Sequence, residues 1–327
     1  MRLPPFNYFS PTRLEEALAW LHEHADESVK ILAGGTDLLV DLRRKVIPPS
    51  HRPPRDYNPA AGRWVTQAPE EFRPPLTLMA LSRTPELRGI RELPDGIHIG
   101  AMTTIRELEE SDLVRERLGG LHDGAAQLGS PLVRNRGTYG GNLCNARPAA
   151  DTAIPTVALG GRVILKSIRG ERNLLLDDFI TGPGVTLRER DELLTEIVFP
   201  FNTDNPSATP CASGYIKLAN RKSLEIAVVG AAAWILFGEE ERVVSARIAL
   251  GAVAPKPLLA ISAVESLMGR RLDAPAIAEA ARIAAEYAKP ISDHRGSREY
   301  RARMVEVLVR RVLCRCRARA LNLESVP

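Results

Sequence analysis

Apolar positions along this chain alternate between helical and strand spacing, and the switches outline its architecture. Over residues 12–24, Leu14, Ala17, Leu18 and Leu21 recur every three or four positions, which puts them on one helix face. Thr12 and Glu15 at its start have capping-box spacing. A strand is predicted over Val29 to Leu32 and a short helix over Leu38 to Arg44, which together make a βα-type N-terminal unit. In the middle of the chain Gly96-Ile97-His98-Ile99-Gly100 alternates as a strand does and runs into an Ala101-Met102-Thr103-Thr104 turn. Thr104 to Glu109 and Leu118 to Leu128 read as helices, Arg162 to Lys166 and Glu196 to Phe199 as strands. Ser213 to Leu218, Ala227 to Phe237 and Val243 to Val253 predict three strands of an antiparallel sheet. Beyond Pro257 the chain is mostly helical, over Pro275 to Ala288 and Arg298 to Leu321. In the last helix Tyr300, Met304, Leu308 and Val312 stand at four-residue spacing. No repeat with a period of 20–50 residues is present.

Residues 48–75 break the pattern. Eight prolines (48, 49, 53, 54, 59, 69, 74 and 75) sit among Arg52, Arg55, Arg63 and Arg73. That density forbids a helix and disfavours a central strand. The segment reads either as a solvated surface loop or as an arm that docks on a partner.

With 327 residues, 44% of them hydrophobic, the chain can build a large core in two or three domains. A net charge of +4 permits an acidic partner and does not by itself indicate nucleic acid. Cys144, Cys211, Cys314 and Cys316 are too few for a disulfide framework, and each is read as a buried or inert thiol. The six histidines share no metal-ligand spacing. The N-terminus lacks the apolar core of a signal peptide, and the longest apolar stretch, Ala227 to Phe237, falls far short of a membrane span. A soluble cytoplasmic protein is expected.

Two glycine-rich turns carry the candidate chemistry. Ala33-Gly34-Gly35-Thr36-Asp37 follows the strand ending at Leu32, and Gly137-Thr138-Tyr139-Gly140-Gly141-Asn142 leads into Leu143-Cys144-Asn145. Glycine lets backbone approach a ligand closely, and successive N–H groups in such a turn make a concave anion site. Each turn taken alone reads more readily as a plain tight turn at a strand end. Neither G-x-G-x-x-G nor a terminal Gly-Lys-Ser/Thr is present, so Rossmann and P-loop readings fail on spacing. Two such nests could grip the two phosphates of a dinucleotide. On their residue types alone, Asp151 reads as a helix N-cap and Lys217 as a strand-end surface charge.

Five stretches in order resemble one family. They are Ile31 to Leu38, Ile99 to Thr104, Thr138 to Asp151, Gly214 to Lys217 and Pro290 to Tyr300. The chain resembles the FAD-binding (medium) subunit of molybdenum hydroxylases, the xanthine dehydrogenase and aerobic carbon monoxide dehydrogenase group. The resemblance implies an α+β fold: a two-part FAD-binding domain of the molybdenum hydroxylase type and a C-terminal domain with a small antiparallel sheet and helices. It divides the chain into 1–47, the insertion 48–75, 76–200 and 205–327. It implies that Ile31, Leu32, Ala33, Gly34, Gly35, Thr36, Asp37 and Leu38 wrap the FAD pyrophosphate and that Thr138, Gly140, Gly141 and Asn142 close over it. Leu128 is placed near the adenosine half, and Leu194 packs on the cofactor. Asp151 bonds the ribityl or a neighbouring polar part, and Lys217 lies near the isoalloxazine ring. Ala101, Thr104, Asn145 and Tyr215 complete the implied set. Implied partners are a large molybdopterin subunit and a small [2Fe–2S] subunit, in a dimer of heterotrimers that serves NAD or another electron acceptor. No cysteine-rich loop follows Cys144, so no iron–sulfur cluster is expected on this chain. Two other readings compete. One is a stand-alone FAD oxidoreductase on the same fold. The other is a non-redox nucleotide-binding or assembly protein whose arginine-rich last helix faces nucleic acid.

Overall fold

The computed structural model describes residues 3–43, 57–58, 63–64, 76–201, 211–221 and 224–322. The chain forms two compact units and passes back and forth between them: Met1–Ile105, Pro131–Arg147 and Arg162–Pro200 make the first, and Arg106–Ser130, Pro148–Gly161 and Phe201–Pro327 the second.

Among its described residues the first unit contains two larger sheets, of three and five strands, besides short two-stranded pairs. Strands Phe6–Phe9, Leu76–Ala80 and Val29–Leu32 pair in parallel, with Leu76–Ala80 in the middle. That central strand is buried on both faces, as parallel strands covered by helices are. Met79 joins Ala17, Leu18 and Leu21 of helix Leu14–Glu23, while Leu76 and Leu78 join Leu42 of helix Leu38–Arg43. The expected capping box is displaced by one residue. The helix starts at Leu14 after an Arg13 cap, so Thr12 meets Glu16 rather than Glu15, its N–H at 2.8 Å from Oε2. The second sheet is antiparallel, in the order Ile90–Leu93, Gly96–Gly100, Leu193–Pro200, Arg162–Ser167, Gly170–Leu175. Within the proline-rich segment, Tyr57–Asn58 and Arg63–Trp64 pair antiparallel. The rest of the expected insertion lies outside the described residues.

The second unit is built on the antiparallel sheet Cys211–Leu218, Val229–Phe237, Val243–Gly251, Leu258–Leu259. Val229, Ala231, Ala233, Ile235 and Phe237 share one core with residues of helices Ala274–Tyr287 and Arg298–Ala320. The buried seam of the last helix runs through Arg301, Val305, Leu308, Val309, Val312, Leu313 and Cys316, and Tyr300 is exposed. A strict four-residue spacing drifts about 40° per step on a 3.6-residue helix, so Tyr300 and Val312 cannot share one face. Several arginines of this helix pair with carboxylates of the same unit. Arg315 and Arg319 reach Asp123 at 3.4 and 2.8 Å, Arg317 reaches Glu241 at 3.2 Å and Arg310 reaches Glu306 at 3.1 Å.

The four thiols divide into two classes. Cys316 is buried, which pushes its pKa up to about 12, and burial pushes Cys144 up to about 11. Cys211 and Cys314 are exposed, so for these two the buried half of the expectation does not hold. Iodoacetamide at pH 8 should therefore alkylate Cys314 in the native chain, label Cys211 more slowly because desolvation raises its thiol pKa, and leave Cys316 unlabelled, as peptide mass mapping would show. Labelling of Cys316 at the rate of Cys314 would contradict this.

Candidate functional site

In the first unit the two glycine-rich turns meet although about 100 residues separate them. An added Cβ on Gly34 would lie 2.0 Å from the Arg136 carbonyl oxygen and 2.9 Å from Gly137 Cα, so backbone packs on backbone there. Gly35 has φ +78°, the left-handed conformation that glycine adopts without steric cost. Among the described residues, the N–H groups of Gly34, Gly35, Thr36 and Asp37 donate to no protein acceptor. Four consecutive free donors in a curved turn fit an oxyanion and have no structural use otherwise.

The second turn is different, and here the expectation of two open nests fails. Tyr139 N–H donates to Thr103 O at 2.8 Å and Gly140 N–H to Ala101 O at 2.8 Å. Gly141 N–H donates to Thr138 Oγ1 at 3.2 Å and Asn142 N–H to Thr138 O at 3.0 Å. Thr138 thus caps a short helix, Tyr139–Cys144, and the peptide donors are consumed. Gly140 allows this closure, because a Cβ there would come within 2.6 Å of Ala101 Cβ. Thr104 bridges Thr138 in a single antiparallel pair. The second turn therefore buttresses the first and presents side chains instead of a row of N–H groups.

Further residues gather at the first turn. The Asn145 side chain hydrogen-bonds the Asp37 carboxyl. Desolvation by the surrounding chain pushes that carboxyl above its usual range, and Arg147 and Asn145 bring it part of the way back. Arg147 also pairs with Asp41 at 3.5 Å. Ala146, between them, is buried with φ +47°, a strained conformation for a non-glycine residue that ends the preceding helix. Leu194 lies in Leu193–Pro200, opposite Leu165, almost wholly covered by protein. Ile31 and Leu32 end the strand that feeds the first turn, and Leu38 opens the helix after it.

The second unit holds a buried polar triad. Asp151, only 6% exposed, accepts from Tyr215 Oη–H at 2.8 Å and from Lys217 Nζ at 2.7 Å. The Lys217 side chain is covered to the same degree as that of Asp151 and also donates to the Gln127 carbonyl at 3.2 Å, one residue before Leu128. Tyr215 and Lys217 are two apart on one strand and so share a face. Gly230, opposite Lys217, leaves room for the tyrosine: a Cβ there would meet Tyr215 Oη at 2.9 Å. Burial pushes the Asp151 carboxyl up and Lys217 and Tyr215 only partly offset this, while burial and the Asp151 charge drive the Tyr215 hydroxyl well above its usual value. Asp151 is thus no helix cap and Lys217 no surface charge. Each neutralises the other in a site from which water is largely removed.

Sequence reasoning missed Arg147 and Gln127. Arg147 lies inside the Thr138 to Asp151 stretch, but nothing in its spacing marked it as a partner of Asp37 and Asp41. Gln127 acts through its backbone carbonyl, which leaves no side-chain signal. Among the described residues no group of three His, Cys, Asp or Glu side chains could hold a metal ion, and no helix is long and apolar enough to cross a membrane.

Comparisons with known proteins agree with this geometry. The family model for the FAD binding domain in molybdopterin dehydrogenase matches residues 61–202, and that for the CO dehydrogenase flavoprotein C-terminal domain matches residues 214–316. The nicotinate dehydrogenase FAD-subunit of Eubacterium barkeri is 33% identical over 82% of this chain and 81% of its own. The carbon monoxide dehydrogenase medium chain of Hydrogenophaga pseudoflava is 31% identical over 95% of this chain and 96% of its own. A solved structure of carbon monoxide dehydrogenase from the same organism matches with a TM-score of 0.82 at 31% identity, covering 98% of this chain and all of the other. Quinoline 2-oxidoreductase from Pseudomonas putida 86 matches with a TM-score of 0.79 at 30% identity, over 97% of this chain and 98% of the other. The chain belongs to the FAD-binding medium subunits of the molybdopterin dehydrogenases, and is an FAD-binding subunit of an oxidoreductase complex.

Proposed function

We propose that this subunit carries electrons between the [2Fe–2S] clusters of a small partner subunit and an external acceptor such as NAD, with a molybdopterin-containing large subunit completing the complex. The single observation that supports this most is the row of four unused N–H donors at Gly34–Asp37, set in a chain that belongs to a family of FAD subunits. FAD, when bound, supplies one- and two-electron redox chemistry; the protein's part is to bind, orient and tune it.

In this reading Ala33, Gly34, Gly35, Thr36 and Asp37 hold the pyrophosphate by backbone, between Ile31, Leu32 and Leu38. Thr138, Gly140, Gly141 and Asn142 brace that turn from beneath, held in place by Ala101 and Thr104. Asn145 keeps Asp37 turned away from the phosphates. Leu128 contacts the adenosine half and Leu194 the cofactor's apolar surface. Asp151, Tyr215 and Lys217 form the polar wall on the flavin side. The Lys217 ammonium, already fixed by Asp151, places a cation there without the cost of ordering a free side chain. A pyrophosphate-binding turn also predicts that heat releases FAD and not FMN from the purified chain.

Purified from its own host, the chain should co-elute with a large molybdopterin subunit and a small [2Fe–2S] subunit, with the native mass of a dimer of heterotrimers. A native mass equal to the lone chain would contradict the proposal.

A further inference from the structure

The Pro290 to Tyr300 stretch has no place in the phosphate turn, yet it runs directly into Arg301, the most buried arginine of the last helix. The Arg301 side chain is 4% exposed and its two Nη atoms are used separately. Nη2 donates to Asp293 Oδ1 at 2.6 Å, and Nη1 donates to the Ala252 carbonyl at 3.1 Å. Its Nε has no partner, so the fork is arranged for these two bonds at the expense of a third. Asp293 is itself pinned, accepting the Arg295 N–H at 2.8 Å. Burial pushes the Asp293 carboxyl up, but the Arg295 N–H and the Arg301 guanidinium outweigh this and hold it below its usual value.

Ala252 passes the connection on. It has φ +61°, outside the region alanine prefers, and its N–H donates to the Pro148 carbonyl at 2.8 Å. Pro148 opens the short loop that ends at Asp151. The other end of that loop is fixed by close packing, since a Cβ on Gly124 would lie 2.3 Å from the Asp151 carbonyl oxygen. A carboxylate with one oxygen on Tyr215 and the other on Lys217 tolerates little displacement of its backbone.

We propose that Arg301, anchored by Asp293, is a positioning residue for the flavin site: through Ala252 and Pro148 it sets the loop that delivers Asp151 to Lys217 and Tyr215. The proposal rests on the reading of the Asp151–Lys217 pair as part of that site.

The test uses the full-length chain, with FAD affinity followed by flavin fluorescence and folding by thermal midpoint. Arg301→Lys keeps a cation for Asp293 but cannot fork to the Ala252 carbonyl. It should leave the thermal midpoint near that of the parent and raise the FAD dissociation constant about tenfold, the effect of one charge-assisted hydrogen bond. Lys217→Met should also raise it about tenfold, and the double variant should show little more than one such factor, because coupled residues are not additive. Arg310→Gln, on the same helix but exposed, should bind FAD as the parent does. If Arg301→Lys binds FAD normally, or the double variant weakens it by the product of the two factors, Arg301 acts on stability alone and the proposal is overturned. Unchanged FAD affinity in Lys217→Met would instead overturn the underlying reading of the pair, and the proposal with it.

Discussion

Gly34→Ala is expected to yield a chain that folds but elutes without FAD. The added Cβ would sit 2.0 Å from the Arg136 carbonyl oxygen and 2.8 Å from its carbon. Both neighbours are backbone, so no rotamer change relieves the clash, and the two turns must separate. Overpacking of this kind costs about 1–3 kcal/mol, which is roughly a 5- to 150-fold loss of affinity if it falls on the flavin-binding conformation. Gly35→Ala is the informative comparison. Its clash is with the tip of a side chain, Leu39 Cδ1 at 3.0 Å, and its main penalty is the left-handed φ, about 1 kcal/mol. It should bind FAD measurably, several-fold more weakly than the parent. Parent-like flavin content in Gly34→Ala would mean that the contact between the turns does not shape the site.

Lys217→Met should have the largest effect on stability. It leaves the Asp151 carboxylate buried with a single hydrogen bond, from Tyr215, and no cation. Breaking one side of a buried pair costs about 3–5 kcal/mol near neutral pH. The pH dependence has a definite sign. Burial already raises the Asp151 pKa, with Lys217 opposing it, so losing Lys217 raises it further. A carboxyl whose folded pKa is raised loses stability as pH climbs from its unfolded value, about 3.9, to its folded one. The deficit of Lys217→Met relative to the parent should therefore be small near pH 4, grow as pH rises and level off above the new folded pKa. Adding Asp151→Asn should recover most of it. Urea denaturation across pH 4–8 reads this directly, and a deficit independent of pH would show that the two side chains are not coupled as described.

How much of this was legible in the sequence depends on how far apart the interacting residues lie. The strand Val29–Leu32, the helix after the first turn and the antiparallel strands of the second unit follow from local periodicity, and each stands within a few residues of its expected bounds. The edge strand Phe6–Phe9 has no alternating pattern, because its pairing is decided by Leu76–Ala80, about 70 residues away. The second glycine turn was misjudged for a related reason. Its N–H groups look free in sequence, but Ala101 and Thr103 supply acceptors from a distant turn and Thr138 supplies the cap. Asp151 and Lys217 carry no local mark of burial, and only the fold brings them within 2.7 Å. The arginines of the last helix looked like a charged surface, yet several find their carboxylates on segments far away in the chain.

The central claim is that electrons leave the [2Fe–2S] clusters through this subunit's FAD. The most direct measurement takes the complex purified from its own host, as isolated and after removal of FAD, and reduces the clusters anaerobically with a limiting amount of dithionite. Each sample is then mixed with NAD⁺ or a quinone analogue, and cluster reoxidation is followed by absorbance. The account predicts rapid reoxidation by at least one of these acceptors in the intact complex, a stall in the stripped complex and recovery when FAD is added back. Reoxidation at the same rate with and without FAD would contradict it.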